Sequence, residues 1–174
     1  MANLRSALWR VHQVGCPVAD VSATHLGLAR DVTVDVHEVS SQAHTLIGGS
    51  VSEPLALDHQ ALSVDILPDW YDEWIIVERE RYRQLRLQAL EILAERAMAV
   101  GRLAESVEIG LAAVAVEPLR ESAQRQLVKA HLANGNVAAA LRQYHSYRQL
   151  LYDELGLQPS PLMRELIDGL ATQP

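Results

Sequence analysis

The sequence has no phenylalanine, and across 174 residues its aromatics are limited to three tryptophans and five tyrosines, although 49% of the chain is hydrophobic. A core so poor in rings has to be built from leucine, valine and alanine, the composition of closely packed helical repeats. There is one cysteine, Cys16, which excludes an internal disulfide and is compatible with a reducing compartment. The opening residues, Met1-Ala2-Asn3-Leu4-Arg5, lack the basic segment and apolar run of a secretory signal. No window reaches the roughly 18 apolar residues of a membrane span, and the longest run, Gly110 to Val116, has the length of a core helix. A cytoplasmic protein with no membrane association is expected. Positive charge is also in short supply. The formal net charge of −7 favours solubility and argues against a surface that is basic throughout, while leaving room for a local basic patch. The length fits one medium domain or two small ones, in which folding removes roughly 70% of the surface from water.

Catalytic and metal patterns are missing as well. The histidines, His12, His25, His37, His44, His59, His131 and His145, contain no pair four residues apart and have no cysteine partners, so no zinc pattern forms. Gly48-Gly49-Ser50 lacks the lysine and the spacing of a phosphate loop, and there is no Gly-x-Ser-x-Gly elbow. Asp153 and Glu154 are adjacent, which on a helix points them about 100° apart instead of toward one substrate. No catalytic residue, metal or cofactor is expected, and an enzyme is the least favoured reading.

What the sequence does contain is an internal repeat. Gly101 and Gly135 lie 34 residues apart. Leu90, Leu93, Ala94 and Ala97 precede the first in helical phase, and Gln124, Leu127, Val128 and His131 precede the second at the same offsets. After the glycines, Ser106, Gly110 and Ala113 correspond to Ala140, Tyr144 and Tyr147. The spacing predicts antiparallel helices joined by tight glycine turns, approaching closely where side chains are small, at Ala94, Ala97, Ser106, Ala113 and Ala140. Pro118 stands where the next repeat begins. This arrangement resembles the tetratricopeptide repeat, and an alanine-rich hairpin repeating by coincidence is the plainer alternative. Because one repeat cannot bury its own apolar face, the flanking segments must serve as further layers or caps.

Asn3 can cap a first helix from about Leu4 to Val14, ending at Gly15, with an apolar stripe of Leu4, Leu8 and Val11. Past Pro17, Val18–Val21 and His25–Leu28 alternate as two strands around Ser22-Ala23-Thr24, and Val32–Val36 alternates as a third short strand. A helix over Asp35–Ile47 follows, burying Val36, Val39, Ala43 and Leu46. Residues 48–68, bracketed by Pro54 and Pro68 around short apolar pieces such as Leu55-Ala56-Leu57, read as a loop with one helical turn. Asp69, with Asp72 in the first turn, opens a long helix from Trp70 to about Val100. That helix starts with Trp70, Tyr71 and Trp74, three of the eight aromatics within five residues. It continues through Glu78-Arg79-Glu80-Arg81-Tyr82-Arg83, a charge run that is either a solvated face or a contact surface. A helix from Asn136 to Leu155 ends at Gly156, and Ser160-Pro161 starts a last one, Pro161 to Leu170. Thr172-Gln173-Pro174 should fray.

Leu67-Pro68-Asp69-Trp70-Tyr71-Asp72-Glu73-Trp74, Glu78-Arg79-Glu80-Arg81-Tyr82-Arg83-Gln84-Leu85 and Leu150-Leu151-Tyr152-Asp153-Glu154-Leu155-Gly156-Leu157-Gln158-Pro159-Ser160 together resemble the bacterial transcriptional activator domain of the Streptomyces antibiotic regulatory protein family. Ahead of that domain the family carries a winged helix of the response-regulator (OmpR) type. Leu4-Arg5-Ser6-Ala7-Leu8-Trp9-Arg10-Val11 is similar to its recognition helix, and Val18 to Asp35 is similar to the wing hairpin and the strand leaving it. The resemblance implies a mainly α fold, tetratricopeptide-like helical hairpins in a right-handed α-solenoid, preceded by a partial winged helix of one helix plus a β-hairpin. The divisions would be 1–36 for the partial winged helix, 37–68 for a linking helix and loop, and 69–171 for the activator domain. About two thirds of the winged helix would be missing from this chain.

The function implied is transcription regulation, with the repeats making protein contacts and the N-terminal helix and hairpin acting as a residual DNA-binding element. Arg5, Ser6, Trp9 and Arg10 would face the major groove and His25 the backbone. Residues 1–39 hold three arginines against Asp20, Asp31, Asp35 and Glu38, so DNA binding by one copy is expected to be weak or lost. Three phosphate contacts would give a salt slope of about −2.7, against roughly −6 to −9 for a fuller site. The resemblance adds promoter DNA, RNA polymerase or another protein, and a second copy of the chain as partners. Trp70, Tyr71, Trp74, His131 and Tyr144 are the candidate interaction or interdomain residues. The alternative is a helical-repeat adaptor that binds a protein or peptide and has no DNA role.

Overall fold

Acidic first turns, glycine turns and runs of strong helix formers divide the chain into helices and one hairpin. The computed structural model describes residues 2–13, 18–22, 24–49 and 58–171. Its elements are α1 (Ala2–Gln13), β1 (Ala19–Val21), β2 (Leu26–Leu28), α2 (Asp35–Gly48), a 3₁₀ turn (Ala61–Ser63), α3 (Glu73–Ala99), α4 (Leu103–Val116), α5 (Glu121–Ala133), α6 (Val137–Leu155) and α7 (Pro161–Ala171). Two compact units result, Met1–Glu38 and Val39–Pro174. Gly15 and Pro17, expected to end the first helix, lie outside the described residues, as do Cys16, Ala23, Pro54, Leu55-Ala56-Leu57 and the terminal Thr172-Gln173-Pro174.

In the first unit β1 and β2 pair antiparallel, with Ala19 opposite Leu28 and Val21 opposite Leu26. The Ser22 hydroxyl accepts from the His25 N–H at 2.9 Å, so His25 sits in the turn and not in a strand. The third strand expected over Val32–Val36 does not form. The Val34 carbonyl instead accepts from the N–H groups of His37 (3.0 Å) and Glu38 (3.2 Å). With Asp35 and Glu38 in its first turn, favoured by the positive end of the helix dipole, the segment enters α2.

The second unit is built from two helical hairpins, α3–α4 and α5–α6, followed by α7. The two hairpin turns are congruent. At the first, Arg102 N–H reaches the Ala97 carbonyl at 2.8 Å and Gly101 N–H the Met98 carbonyl at 3.1 Å; at the second, Asn136 reaches His131 at 2.8 Å and Gly135 reaches Leu132 at 2.9 Å. Each turn needs a residue at positive φ, and Gly101 (+80°) and Gly135 (+71°) supply it. Burial repeats at the same interval: Ala89 with Ala123, Leu93 with Leu127, Ala94 with Val128, and Ala113 with Tyr147 are all inaccessible. The tetratricopeptide-like packing read from the sequence is therefore present.

Two apolar clusters fill this unit. One joins Ala43 and Leu46 of α2 to Leu62, Leu90, Leu93, Ala97, Ile109 and Ala123. The other gathers Val128, Ala140, Tyr144, Tyr147, Leu151 and Met163. Small residues set the helix spacing. The Ser106 hydroxyl donates to the Ala94 carbonyl at 2.7 Å, and a Cβ placed on Gly110 would meet the Leu127 Cα at 3.3 Å, so α4 and α5 touch nearly backbone to backbone. Ala97→Leu or Ala140→Leu, both sites being fully buried, should each cost about 1 to 3 kcal/mol by overpacking a helix pair. An unchanged thermal midpoint for either would count against this packing.

The long helix begins later than the sequence indicates, at Glu73 with Asp72 as N-cap, and neither Asp69 nor Trp70 belongs to it. The reason is a tether. Arg79 donates to the carbonyls of Ile66 (3.1 Å), Leu67 (2.5 Å) and Trp70 (3.1 Å), and Arg86 donates to that of Val64 (2.6 Å). These bonds hold the segment folded back along α3 and keep Leu67 at φ +42°, a conformation that a non-glycine residue retains only when its surroundings enforce it. Burial pushes the Arg86 guanidinium below its usual value, with Asp65 opposing that shift.

Candidate functional site

Two surfaces of the second unit and one of the first concentrate functional residue types. The first surface is a groove of about 370 Å³ between α3 and α5, lined by Gln88, Glu91, Ile92, Glu95, Ser122, Arg125, Gln126 and Lys129. Its geometry follows from the repeat: Gln88 and Ser122, Glu91 and Arg125, Ile92 and Gln126, and Glu95 and Lys129 are each 34 residues apart. The four places that face outward on the first helix of one hairpin therefore recur on the first helix of the next. One wall carries carboxylates and the other cations. Arg120 ties the walls together, donating to Glu91 at 2.7 Å and to Gln84 at 3.0 Å, while the Ser122 hydroxyl donates to Glu91 at 2.6 Å. None of these groove residues belongs to a motif in the sequence, although the matched spacing of Glu91/Arg125 and Glu95/Lys129 is legible there.

The second surface is aromatic. Trp70 and Trp74 pack edge to face with centroids 6.1 Å apart, yet they are 49% and 56% exposed, and Tyr71 is 84% exposed. Val77, one turn beyond Trp74, is also exposed. Rings this exposed contribute little to folding, so Trp70→Ala and Trp74→Ala should each lower stability by no more than about 1 kcal/mol. A loss of about 3 kcal/mol or more in urea denaturation would mean that the rings are buried in solution.

The other sequence-derived residues are placed as follows. Tyr144 is buried within the second cluster and packs edge to face on His145. His131 occupies the position equivalent to Ala97, outside the groove lining, with its Nδ1 buried and without a hydrogen-bond partner among the described residues. Burial, and then the Arg142 charge, hold its imidazole below the usual value. In the first unit Ser6, Trp9 (64%) and Arg10 on α1 and His25 in the hairpin turn are exposed. Arg5 also lies on α1, but its side chain is outside what is described. Of the expected apolar stripe, Leu4 (55%) and Val11 (36%) are exposed and Leu8 is half-buried. Among the described residues no group of histidine, cysteine and carboxylates is placed to hold a metal, and no helix is long and apolar enough to cross a membrane.

Residues 22–170 match the bacterial transcriptional activator domain. The chain belongs to that family. Relatives of this activator-domain chain include the regulatory protein AfsR of Streptomyces griseus, 34% identical over 151 residues, which are 83% of this chain and 15% of AfsR. AfsR of Streptomyces coelicolor is 39% identical over 89 residues, 51% of this chain and 9% of that protein. The transcriptional regulatory protein MoaR1 of Mycobacterium tuberculosis is 36% identical over 81 residues, 47% of this chain and 26% of MoaR1. Among solved structures, Mycobacterium tuberculosis EmbR in complex with a low-affinity phosphopeptide superposes with a TM-score of 0.63 at 21% identity, over 99% of this chain and 50% of EmbR. At that identity the likeness is one of fold. The activator-domain chain spans half or less of each of these proteins. Its relatives are regulatory proteins, MoaR1 a transcriptional one.

Proposed function

We propose that the chain works in transcription regulation, its helical repeats making protein contacts and the unit of α1 and the β1–β2 hairpin serving as a weak DNA-binding element. The observation that carries the reading is the family match over residues 22–170 combined with an α1 face on which Ser6, Trp9 and Arg10 are exposed. By resemblance, Arg5 and Arg10 meet phosphates or bases of promoter DNA, His25 approaches the backbone, and the repeats contact RNA polymerase or another protein. Self-association would double the phosphate contacts and take the salt slope from about −2.7 to about −5.4.

A gel-shift titration of a random-sequence duplex and a promoter duplex across salt tests this. The expected result is weak binding that fades as salt rises and drops further in Arg10→Ala. If no shift appears at low salt, even at concentrations where the chain dimerises, the DNA half of the proposal is lost. The adaptor reading would then replace it, favoured by the excess of acids over arginines in residues 1–39.

A further inference from the structure

Three polar groups lining the α3–α5 groove make no hydrogen bond or ion pair among the described residues. Gln126 is half-buried, and its Nε2 is shielded from solvent with no hydrogen-bond partner. Lys129, one turn further along α5, and Glu95, which stands 34 residues earlier on α3, are both exposed. Neither makes an ion pair among the described residues. The remaining charges of the groove are engaged: Glu91 accepts from Arg120 and Ser122, and Arg125 lies 3.8 Å from Glu121. One wall thus keeps an uncommitted anion, and the other keeps an uncommitted cation with a shielded carboxamide one turn away.

These groups narrow the choice of occupant. Buried polar groups in native proteins are satisfied as a rule by protein, water or ligand, so the Gln126 Nε2 is a donor that a ligand atom in the groove can use. The open Gln126 Nε2 is a donor, and a main-chain carbonyl oxygen is an acceptor that suits it. Nucleic acid is disfavoured, because Glu91 and Glu95 would face its phosphates. An apolar small molecule finds only Ile92 among the eight lining residues. We infer that the groove holds a polypeptide segment, with a main-chain carbonyl accepting from Gln126 Nε2, an acidic side chain at Lys129 and a basic side chain at Glu95. This rests on the reading of the repeats as a protein-contact surface and specifies its partner.

The test is to pan the full chain against a display library of random dodecapeptides and to measure the best synthetic peptide by fluorescence polarisation. Enriched peptides should carry an acid and a base a few residues apart. Lys129→Glu should weaken their binding about tenfold, and Gln126→Ala should weaken it with circular dichroism unchanged. Exchanging the peptide's acid for lysine should restore binding to Lys129→Glu, an outcome that a merely structural effect would not give. Enriched peptides that bind both variants like the original chain would overturn the groove assignment and leave the repeats a protein-contact domain. A library with no enrichment would overturn the assignment together with the contact reading it rests on.

Discussion

Arg96→Ala is expected to lower the stability of the repeat unit by about 3 kcal/mol, the worth of two charge-assisted hydrogen bonds, one of them to a buried acceptor. Arg96 is 2% exposed on α3, and its Nη2 donates to the carbonyls of Leu46 (2.9 Å) and Gly49 (3.1 Å). These lie at the C-terminal end of α2, where unsatisfied carbonyls gather partial negative charge. The last turn of α2 has no basic residue of its own, so the cation comes from a helix nearly fifty residues further along the chain. Urea unfolding read by circular dichroism should show the loss, and amide exchange should show it first in α2. Arg96→Lys should recover part of it. A loss under about 1 kcal/mol would mean that α2 is held by its apolar face alone.

The second large effect is expected at Glu121. Its carboxylate opens α5, where the helix dipole favours it, and accepts from both the N–H of Ser160 (2.9 Å) and the Ser160 hydroxyl. It thereby positions the N-cap of α7, where the Ser160 hydroxyl accepts in turn from Met163 N–H at 3.4 Å. The Tyr147 hydroxyl donates to the same carboxylate at 3.4 Å. Glu121→Ala should cost about 3 kcal/mol and loosen α7.

The same substitution can be followed through Tyr147, whose phenol is pushed up to about 12, first by burial and then by the Glu121 charge and hydrogen bond. An unfolded tyrosine ionises near 10. The neutral phenol therefore contributes about 2 to 3 kcal/mol that is fully present below pH 10 and is lost as pH rises through about 12. In a tyrosinate absorbance titration Tyr147 should give a late step. Tyr147→Phe should delete that step, and Glu121→Ala should move it part of the way back, because burial remains. A titration unchanged by Glu121→Ala would separate the two groups.

Much of this architecture is legible in the residues because glycine and alanine have few other uses at a 34-residue interval. Gly101 and Gly135 mark turns that require positive φ, and Ala94, Ala97 and Ala140 mark surfaces where helices meet. The errors lie where tertiary contacts override local preference. Val32–Val36 alternates like a strand, but no further strand is described for it to join and the carbonyl of Val34 starts a helix instead. Asp69 reads as a cap, but Arg79 captures the carbonyls around it from the middle of α3. The groove is less legible, because each of its walls alone is an ordinary polar helix face. Only when Glu91 and Glu95 are aligned with Arg125 and Lys129 does a cleft with opposed charges emerge. The exposure of Trp70 and Trp74 depends on what surrounds them in space, and a tryptophan's identity carries no such information.

The matching hydrogen-bond closures at Gly101 and Gly135 make this protein extensible. A duplicate of residues 103–136 spliced in after Asn136 would start and finish on the same kind of joint, so its helices could stack without a new connector being devised. The array would then gain a further wall for the cleft, and a longer ligand could be accommodated by adding length and leaving the existing contacts untouched.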